Sequence, residues 1–140
     1  MSKAIDNLQT AQKMAMEMRP KVGGFPYLAE ILKQAGVKKN LWILPSLQSI
    51  YITDLGPVVN QGTPLVNGMT DIASFNKDNV IKAIRTDQDG ESTFPEFLIS
   101  IWKAGVVRYE VDFLMRKVTY FGSNNETYEE VYPEIKLQKN

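Results

Sequence analysis

The sequence predicts an α+β fold in which about four helices pack on an antiparallel sheet built from two β-hairpins. Apolar residues recur every three or four positions in some stretches and alternate in others. One string occurs twice, as FPYLAEILKQAGV at 25–37 and FPEFLISIWKAGV at 94–106. A helix-helix-hairpin duplication would explain the repetition. Two unrelated helices with common entry and exit residues would explain it equally well.

Two helices open the first half of the chain. The first is predicted over roughly residues 4–18 and stops before Pro20. The second begins at Phe25, where Pro26 is tolerated because the first turn has no intrahelical partner for an N–H, and it ends at Gly36. The apolar stripe of the first comprises Ile5, Leu8, Ala11, Ala15 and Met18.

Two more helices follow in the second half. Asn76 is expected to cap a helix over residues 77–88. Thr93 and Glu96 have the spacing of a capping box at the start of the next helix, which ends at Gly105. The stripe of this last helix predicts that Trp102 is buried, and Trp42 in the first half is predicted to be largely buried.

Each pair of helices is followed by a predicted hairpin. Residues 107–122, VRYEVDFLMRKVTYFG, alternate in hydrophobicity as half-buried strands do. A turn at 114–117 would place Thr119 opposite Asp112. Residues 41–53, LWILPSLQSIYIT, form the equivalent hairpin of the first half.

The remaining segments are a central connection and a tail. Residues 54–74 are rich in Gly, Pro and Asn, and they exceed the ~12–15 residues common for structureless connections, so they are a candidate pocket rim or partner surface. A short edge strand is predicted at 64–66 within them. We therefore expect one α+β domain over residues 1–122 and a docked or frayed tail over 123–140.

Composition excludes several classes of protein. Lys plus Arg and Asp plus Glu are both 16, which does not favour nucleic acid or an anionic membrane as a partner. The chain has no Cys and no His, so disulfides, thiol nucleophiles and the commonest zinc sites are excluded. The N-terminus has no apolar h-region and no window has a membrane span's length, so a cytoplasmic location is expected, with no cofactor.

Several segments resemble a known family. The string TFPEFLISIWKAGVVRYEVDF, the following VTYFG and the upstream LPSLQSIYITDLGPV are similar to the YbcV-like small bacterial proteins, some of which are labelled phage envelope protein. The resemblance covers most of residues 20–122. It implies an α+β domain of unknown function and supplies no catalytic or binding residues.

Residues 85–96, RTDQDGESTFPE, have part of the spacing of an EF-hand loop. Asp87, Asp89 and Glu96 would fall at liganding positions, but Arg85 would occupy the position where the metal needs a carboxylate. A helix closed by Gly90 and followed by a capping box explains the same residues. We therefore predict no metal site.

Five residues are candidates for binding a small ligand, and none is predicted to be catalytic. A carboxylate pair beside an arginine can perform acid–base chemistry when burial shifts a pKa, and tyrosine hydroxyls can contact a ligand. The alternative is a solvated strand face with cross-strand ion pairs, together with core aromatic residues. The candidates are Tyr51, Asp54, Arg108, Glu110 and Asp112.

The sequence favours a non-enzymatic binding or interaction module of bacterial or prophage origin. The alternative is a small ligand-binding protein, or an enzyme independent of His and Cys, that uses the five candidates near the 54–74 connection. The first hairpin is apolar on both faces, and soluble monomers rarely expose large apolar patches. We therefore predict a homodimer that uses Ile43, Ile50 and Ile52, unless the connection and the tail cover that face.

Overall fold

The computed structural model describes residues 2–137, and within them four helices and a six-stranded antiparallel sheet form an α+β fold, as predicted. The helices are α1 (Lys3–Met18), α2 (Phe25–Gln34), α3 (Lys77–Gln88) and α4 (Phe94–Lys103). The strands are β1 (Val37–Ile43), β2 (Gln48–Thr53), β3 (Val58–Gln61), β4 (Val106–Asp112), β5 (Lys117–Gly122) and β6 (Thr127–Val131).

The two halves of the chain meet at the centre of the sheet. The strand order is β3-β2-β1-β4-β5-β6, so β1 and β4, which follow the two copies of the repeated string, are neighbours. Each half contributes two helices and then three strands in the same order. Duplication as the origin of this arrangement remains a prediction.

Local signals set the ends of the helices. The Asn76 side chain accepts a hydrogen bond from the Asn79 N–H at 3.0 Å and caps α3, as predicted. At α4, Thr93 Oγ1 accepts from the Glu96 N–H and Glu96 Oε1 accepts from the Thr93 N–H, so the predicted capping box is confirmed. Gly105 then leads from α4 into β4 with a φ of +93°.

The helices cover one face of the sheet, here called the helix-side face. Its side chains join the core contributed by the helices, whereas the intervening strand residues belong to the opposite, open face. The buried core residues on the helix-side face are Val37, Tyr51, Tyr109, Val111, Val118 and Tyr120. On the open face lie Lys39, Leu41, Ile43, Ile50, Ile52, Val59, Arg108, Glu110, Asp112, Lys117, Thr119 and Phe121.

The register of the second hairpin differs from the prediction by two residues. Thr119 pairs with Glu110, and Asp112 pairs with Lys117. The reason is the Asp112 carboxylate, which accepts hydrogen bonds from the Leu114 and Met115 N–H groups and starts the turn one residue earlier than expected. The predicted pairing of Thr119 with Asp112 is therefore wrong.

Two strand assignments also change. The edge strand of the first half is β3, not residues 64–66, because the residues after Pro57 pair with β2. The region expected as a tail from residue 123 contains β6, which pairs with β5. Residues 138–140 of that tail lie outside the described residues.

The tryptophans are less buried than predicted. Trp42 and Trp102 are both half-buried and pack against the edge of the core. In α4 the residues that reach the centre are Phe97, Leu98 and Ile101, whereas Phe94 in the first turn remains 42% exposed. The apolar face of α4 is broader than the part of the sheet that it covers.

Candidate functional site

The predicted ligand-binding residues do not come together. Tyr51 lies on the helix-side face and is buried, and this burial raises the pKa of its hydroxyl. Arg108 and Glu110 lie on the open face, where Arg108 Nη1 and Glu110 Oε1 form an ion pair at 3.0 Å. The sheet therefore separates Tyr51 from the ion pair.

The two remaining candidates have structural partners. Asp54 is exposed and lies 3.2 Å from Lys38 Nζ. Asp112 caps the turn between β4 and β5 through its hydrogen bonds to the Leu114 and Met115 N–H groups. Neither carboxylate lies in an enclosed site with the others, and the five residues do not form a catalytic arrangement.

The segment considered as a calcium loop has a different geometry. Its first four residues, 85–88, belong to α3 rather than to a loop. The guanidinium of Arg85 makes two contacts with the Glu130 carboxylate, at 2.9 and 2.7 Å, and thereby joins α3 to β6. The Tyr128 hydroxyl donates to the same carboxylate at 2.6 Å. These residues tie the last strand to the helices.

The open face is mainly apolar across β1, β2 and β3, with the polar residues Lys39, Gln48 and Gln61 at its two ends. Val59 pairs with Ile50 and Ile50 pairs with Leu41, which gives an apolar row across three strands. Ile43 and Ile52 lie on either side of this row. Leu41, Ile43 and Ile50 are half-buried by their neighbours, while Ile52 is 36% and Val59 62% exposed.

The same face is charged across β4 and β5. Arg108 forms its ion pair with Glu110 and lies over the ring of Phe121. Asp112 stands between Lys39 of β1 and Lys117 of β5 in the cross-strand register. Charges of both signs alternate here, so this half of the face is compatible with water.

The central connection and the C-terminal segment pack on the helix side of the sheet. The Leu65 N–H donates to the Pro45 carbonyl at 3.0 Å, and the Leu65 side chain packs against the core. The Tyr132 ring meets Phe25 of α2 edge to face, with centroids 5.2 Å apart, and Leu137 also packs against the core. Within residues 2–137, both segments therefore contribute to the face that the helices already cover.

A pocket of about 240 Å³ lies between the start of α4 and the β1–β3 edge of the sheet, on the helix side. Its walls are almost entirely apolar, with the fully buried hydroxyl of Ser49 among them. The lining residues are Trp42, Leu47, Ser49, Asn60, Gly62, Leu65, Phe94, Pro95, Leu98 and Ile99. They are a different set from the five candidates chosen from the sequence.

Sequence reasoning missed Ser49, although one signal pointed to it. In β2 the residues alternate between the two faces, and Ser49 shares the helix-side face with Tyr51. A buried serine hydroxyl normally has a hydrogen-bond partner, and the neighbouring aromatic residues on this face offer few. The other walls come from β1, the turn after it, β3, the connection after β3 and α4, so the pocket itself could not be predicted from local patterns.

Comparisons with known proteins place the chain among relatives without an assigned activity. The family model described as "Protein of unknown function (DUF1398)" matches residues 13–131. The chain is similar to the uncharacterized proteins Mb2035 of Mycobacterium bovis and Rv2012 of Mycobacterium tuberculosis. Each is 48% identical over 135 residues, which cover 96% of this chain and 82% of the relative. Among the helices of residues 2–137, none has both the length and the apolar character needed to cross a membrane.

Proposed function

We propose that this chain, which belongs to the DUF1398 family of proteins of unknown function, is a non-enzymatic interaction module that pairs with a second copy of itself through the open face. The observation that carries the proposal is the apolar half of that face. Leu41, Ile43 and Ile50 lie opposite the helices, and the connection and the C-terminal segment pack on the other side. An apolar sheet face of this kind is stabilised by removal from water.

A second copy fits this face because the face is self-complementary under a two-fold rotation. The proposed two-fold axis lies between the two stacked sheets and runs perpendicular to the strands. It passes over Leu41 and Glu110, which pair with each other. The rotation stacks the apolar half on the partner's apolar half. Since Glu110 lies midway between Arg108 and Asp112 on β4, the same rotation places Arg108 over the partner's Asp112, a pair of opposite charges. Glu110 lies on the axis and faces the partner's Glu110, and each of these carboxylates is already paired with Arg108 of its own chain.

The size of the face sets the expected strength of the dimer. Six strands about 4.8 Å apart and about five residues long project roughly 500 Å² per copy. Stable interfaces bury about 800 Å² per partner, so this interface is near the small end of the range. We therefore expect association at micromolar concentration.

Sedimentation equilibrium at micromolar concentration tests the proposal. The unmodified chain is expected to show the dimer mass, and Ile50→Lys is expected to show the monomer mass because a lysine would be buried at the centre of the stacked sheets. Ile72→Lys is the matched control, since Ile72 lies in the central connection and is 47% exposed. Circular dichroism checks that both variants fold.

Two outcomes would contradict the proposal. One is a monomer mass for the unmodified chain over the whole concentration range. The other is equal dissociation by Ile50→Lys and Ile72→Lys, which would assign the contact to a different surface. The cytoplasmic location and the YbcV-like, phage-related origin expected from the sequence remain predictions beside this proposal.

A further inference from the structure

We infer that the pocket between α4 and the β1–β3 edge binds a small, uncharged and mainly apolar molecule that carries one hydrogen-bonding group. The inference goes beyond self-association, because the pocket opens on the helix side of the sheet and the proposed dimer uses the open face. It depends on the pocket's shape and on one buried polar atom that is left without a partner.

The pocket has a closed floor and an exposed rim. Ser49 and Leu98 at the floor are 0% and 3% exposed. Phe94 and Ile99 at the rim are 42% and 41% exposed, and Asn60 at the rim is exposed as well. Since no part of Ser49 is exposed, a molecule that enters past the rim reaches its hydroxyl by displacing a neighbouring side chain of the lining.

The indole of Trp42 forms a fixed wall. Its Nε1–H donates to Asn40 Oδ1 at 2.8 Å, and Asn40 Nδ2 donates in turn to the Ile50 carbonyl at 3.1 Å. The ring also meets Phe94 edge to face, with centroids 5.2 Å apart, and stacks on Tyr109 at 6.2 Å. Because its polar atom is already used, Trp42 offers a ligand only its aromatic surface.

Ser49 Oγ is the polar atom available to a ligand. Within residues 2–137 it is the buried side-chain oxygen or nitrogen that has no hydrogen-bond partner. Burial raises the pKa of the Tyr51 hydroxyl, and the nearby Ser49 side chain partly opposes this rise. The distance and angle between the two hydroxyls are nevertheless not those of a hydrogen bond. An unpaired buried hydroxyl destabilises the ligand-free protein, and a ligand that supplies the missing partner removes this cost.

The size and the chemistry of the lining define the ligand. A dry apolar cavity of about 150 Å³ in another protein accepts benzene, so the 240 Å³ here has room for one ring with a short substituent. All of the lining residues are uncharged, so a charged ligand would lose its hydration without gaining a counter-ion. A single water would find Ser49 but few of the two to four polar partners that a buried water uses.

Titrations monitored by amide NMR test the inference with four one-ring probes: benzyl alcohol, toluene, benzoate and benzylammonium. Benzyl alcohol is expected to bind saturably and to shift the amides of Leu47, Gly62 and Leu65. Toluene, which lacks the hydroxyl, is expected to bind about fivefold more weakly, as the loss of one neutral hydrogen bond implies. The two charged probes are expected not to saturate.

Variants separate the contribution of the Ser49 hydroxyl to binding from the contribution of the cavity volume. Ser49→Ala is expected to bind benzyl alcohol and toluene equally, while the control Ser74→Ala, an exposed serine outside the pocket, keeps the preference. Ile99→Trp fills the rim and is expected to abolish the binding of both. The inference is overturned if the folded unmodified chain binds neither probe, or if the shifted amides belong to residues away from the pocket. It is also overturned if Ser49→Ala keeps the preference for benzyl alcohol.

Discussion

The guanidinium carbon of Arg108 lies 3.7 Å from the ring centroid of Phe121, its cross-strand neighbour on the open face. The same guanidinium pairs with Glu110 at 3.0 Å. Arg108 thus covers the large aromatic ring on the charged half of that face and neutralises the carboxylate beside it. On the other half of that face, across β1, β2 and β3, Lys39 pairs in register with Ile52 at one end, and the central row of Leu41, Ile50 and Val59 is apolar.

This stacking should be measurable as an energetic coupling. Arg108→Lys keeps the charge near Glu110 but loses the flat contact with Phe121, so we expect it to cost about 0.5–1 kcal/mol of unfolding free energy. The same substitution in a Phe121→Leu background should cost less, because the ring is then absent. Urea unfolding of the four proteins of this cycle gives the coupling, and additive effects would show that the stacking contributes nothing.

The two glycines that end the repeated strings should differ in their tolerance of a side chain. Gly36 and Gly105 have φ angles of +92° and +93°, so an alanine at either position costs about 1–2 kcal/mol from the backbone conformation. At Gly36 the new Cβ meets the flexible Asp54 side chain at 3.0 Å. At Gly105 it would lie 2.5 Å from the Ser74 carbonyl oxygen and 2.6 Å from the Phe75 Cα, which are backbone atoms.

We therefore expect Gly105→Ala to cost about 3 kcal/mol or more, while Gly36→Ala stays near the backbone value. Thermal and urea unfolding of both variants measures the difference. Equal losses would mean that the 74–75 backbone can move away, and that the connection is held less firmly than its packing indicates.

Acid should weaken the link between α3 and β6. Burial raises the pKa of Glu130, but hydrogen bonds from Arg85 and Tyr128 outweigh it and hold the pKa below its ordinary value of 4.5. A lowered folded-state pKa stabilises the protein above the unfolded-state pKa, and this stabilisation is lost as the pH falls through the folded value. The difference in unfolding free energy between the unmodified chain and Glu130→Gln should therefore shrink as the pH is lowered from 7 to below 4.5.

At neutral pH, Arg85→Ala should cost about 1 kcal/mol, because the pair is bidentate but half exposed on the arginine side. Lys117→Ala is the matched control, since Lys117 of β5 pairs with Glu129 of β6, the neighbour of Glu130, at 3.8 Å on the open face. We expect the control to cost a few tenths of a kcal/mol at most. Equal costs for the two variants would refute a special role for the Arg85–Glu130 pair.

Two buried hydroxyls on β2 should respond oppositely to removal. Thr53 Oγ1 donates to the Gly56 carbonyl at 2.6 Å and accepts from the Leu55 N–H at 3.2 Å, so Thr53→Val should cost about 1–2 kcal/mol. Ser49→Ala removes an unpaired hydroxyl and should leave the stability of the ligand-free chain unchanged or raise it slightly. A loss as large as that of Thr53→Val would show that the Ser49 hydroxyl already has a partner.

The structure supports much of what local patterns indicated. The α3 bounds, the Asn76 cap and the Thr93–Glu96 capping box match the structure because each depends on residues within one or two helical turns. The alternation over 107–112 also predicted that Tyr109 and Val111 face the core, whereas an irregularity between Val106 and Arg108 buries Val106 in place of the predicted Val107. Patterns of this range carry enough information to set the type of an element and its ends.

The register of the second hairpin and the two edge strands depended on hydrogen bonds that hydrophobic periodicity does not reveal. The second hairpin shifted by two residues because the Asp112 side chain started the turn early. β3 and β6 have little hydrophobic alternation of their own and form because β2 and β5 offer them unpaired backbone groups. The five candidate residues are divided because Tyr51 lies on the opposite face of the sheet from Arg108, Glu110 and Asp112, and because Asp54 lies beyond the end of β2.

The sequence by itself determined the α+β class, the helices and the apolar character of the first hairpin on both faces, because each of these follows from residue type and period. The tertiary structure decided that the connection and the C-terminal segment pack beside the helices rather than over the open face. It also brought α4, Trp42 and the residues after β3 around Ser49. Both the open face and the pocket require segments far apart in the chain, and their positions follow from packing the whole core at once.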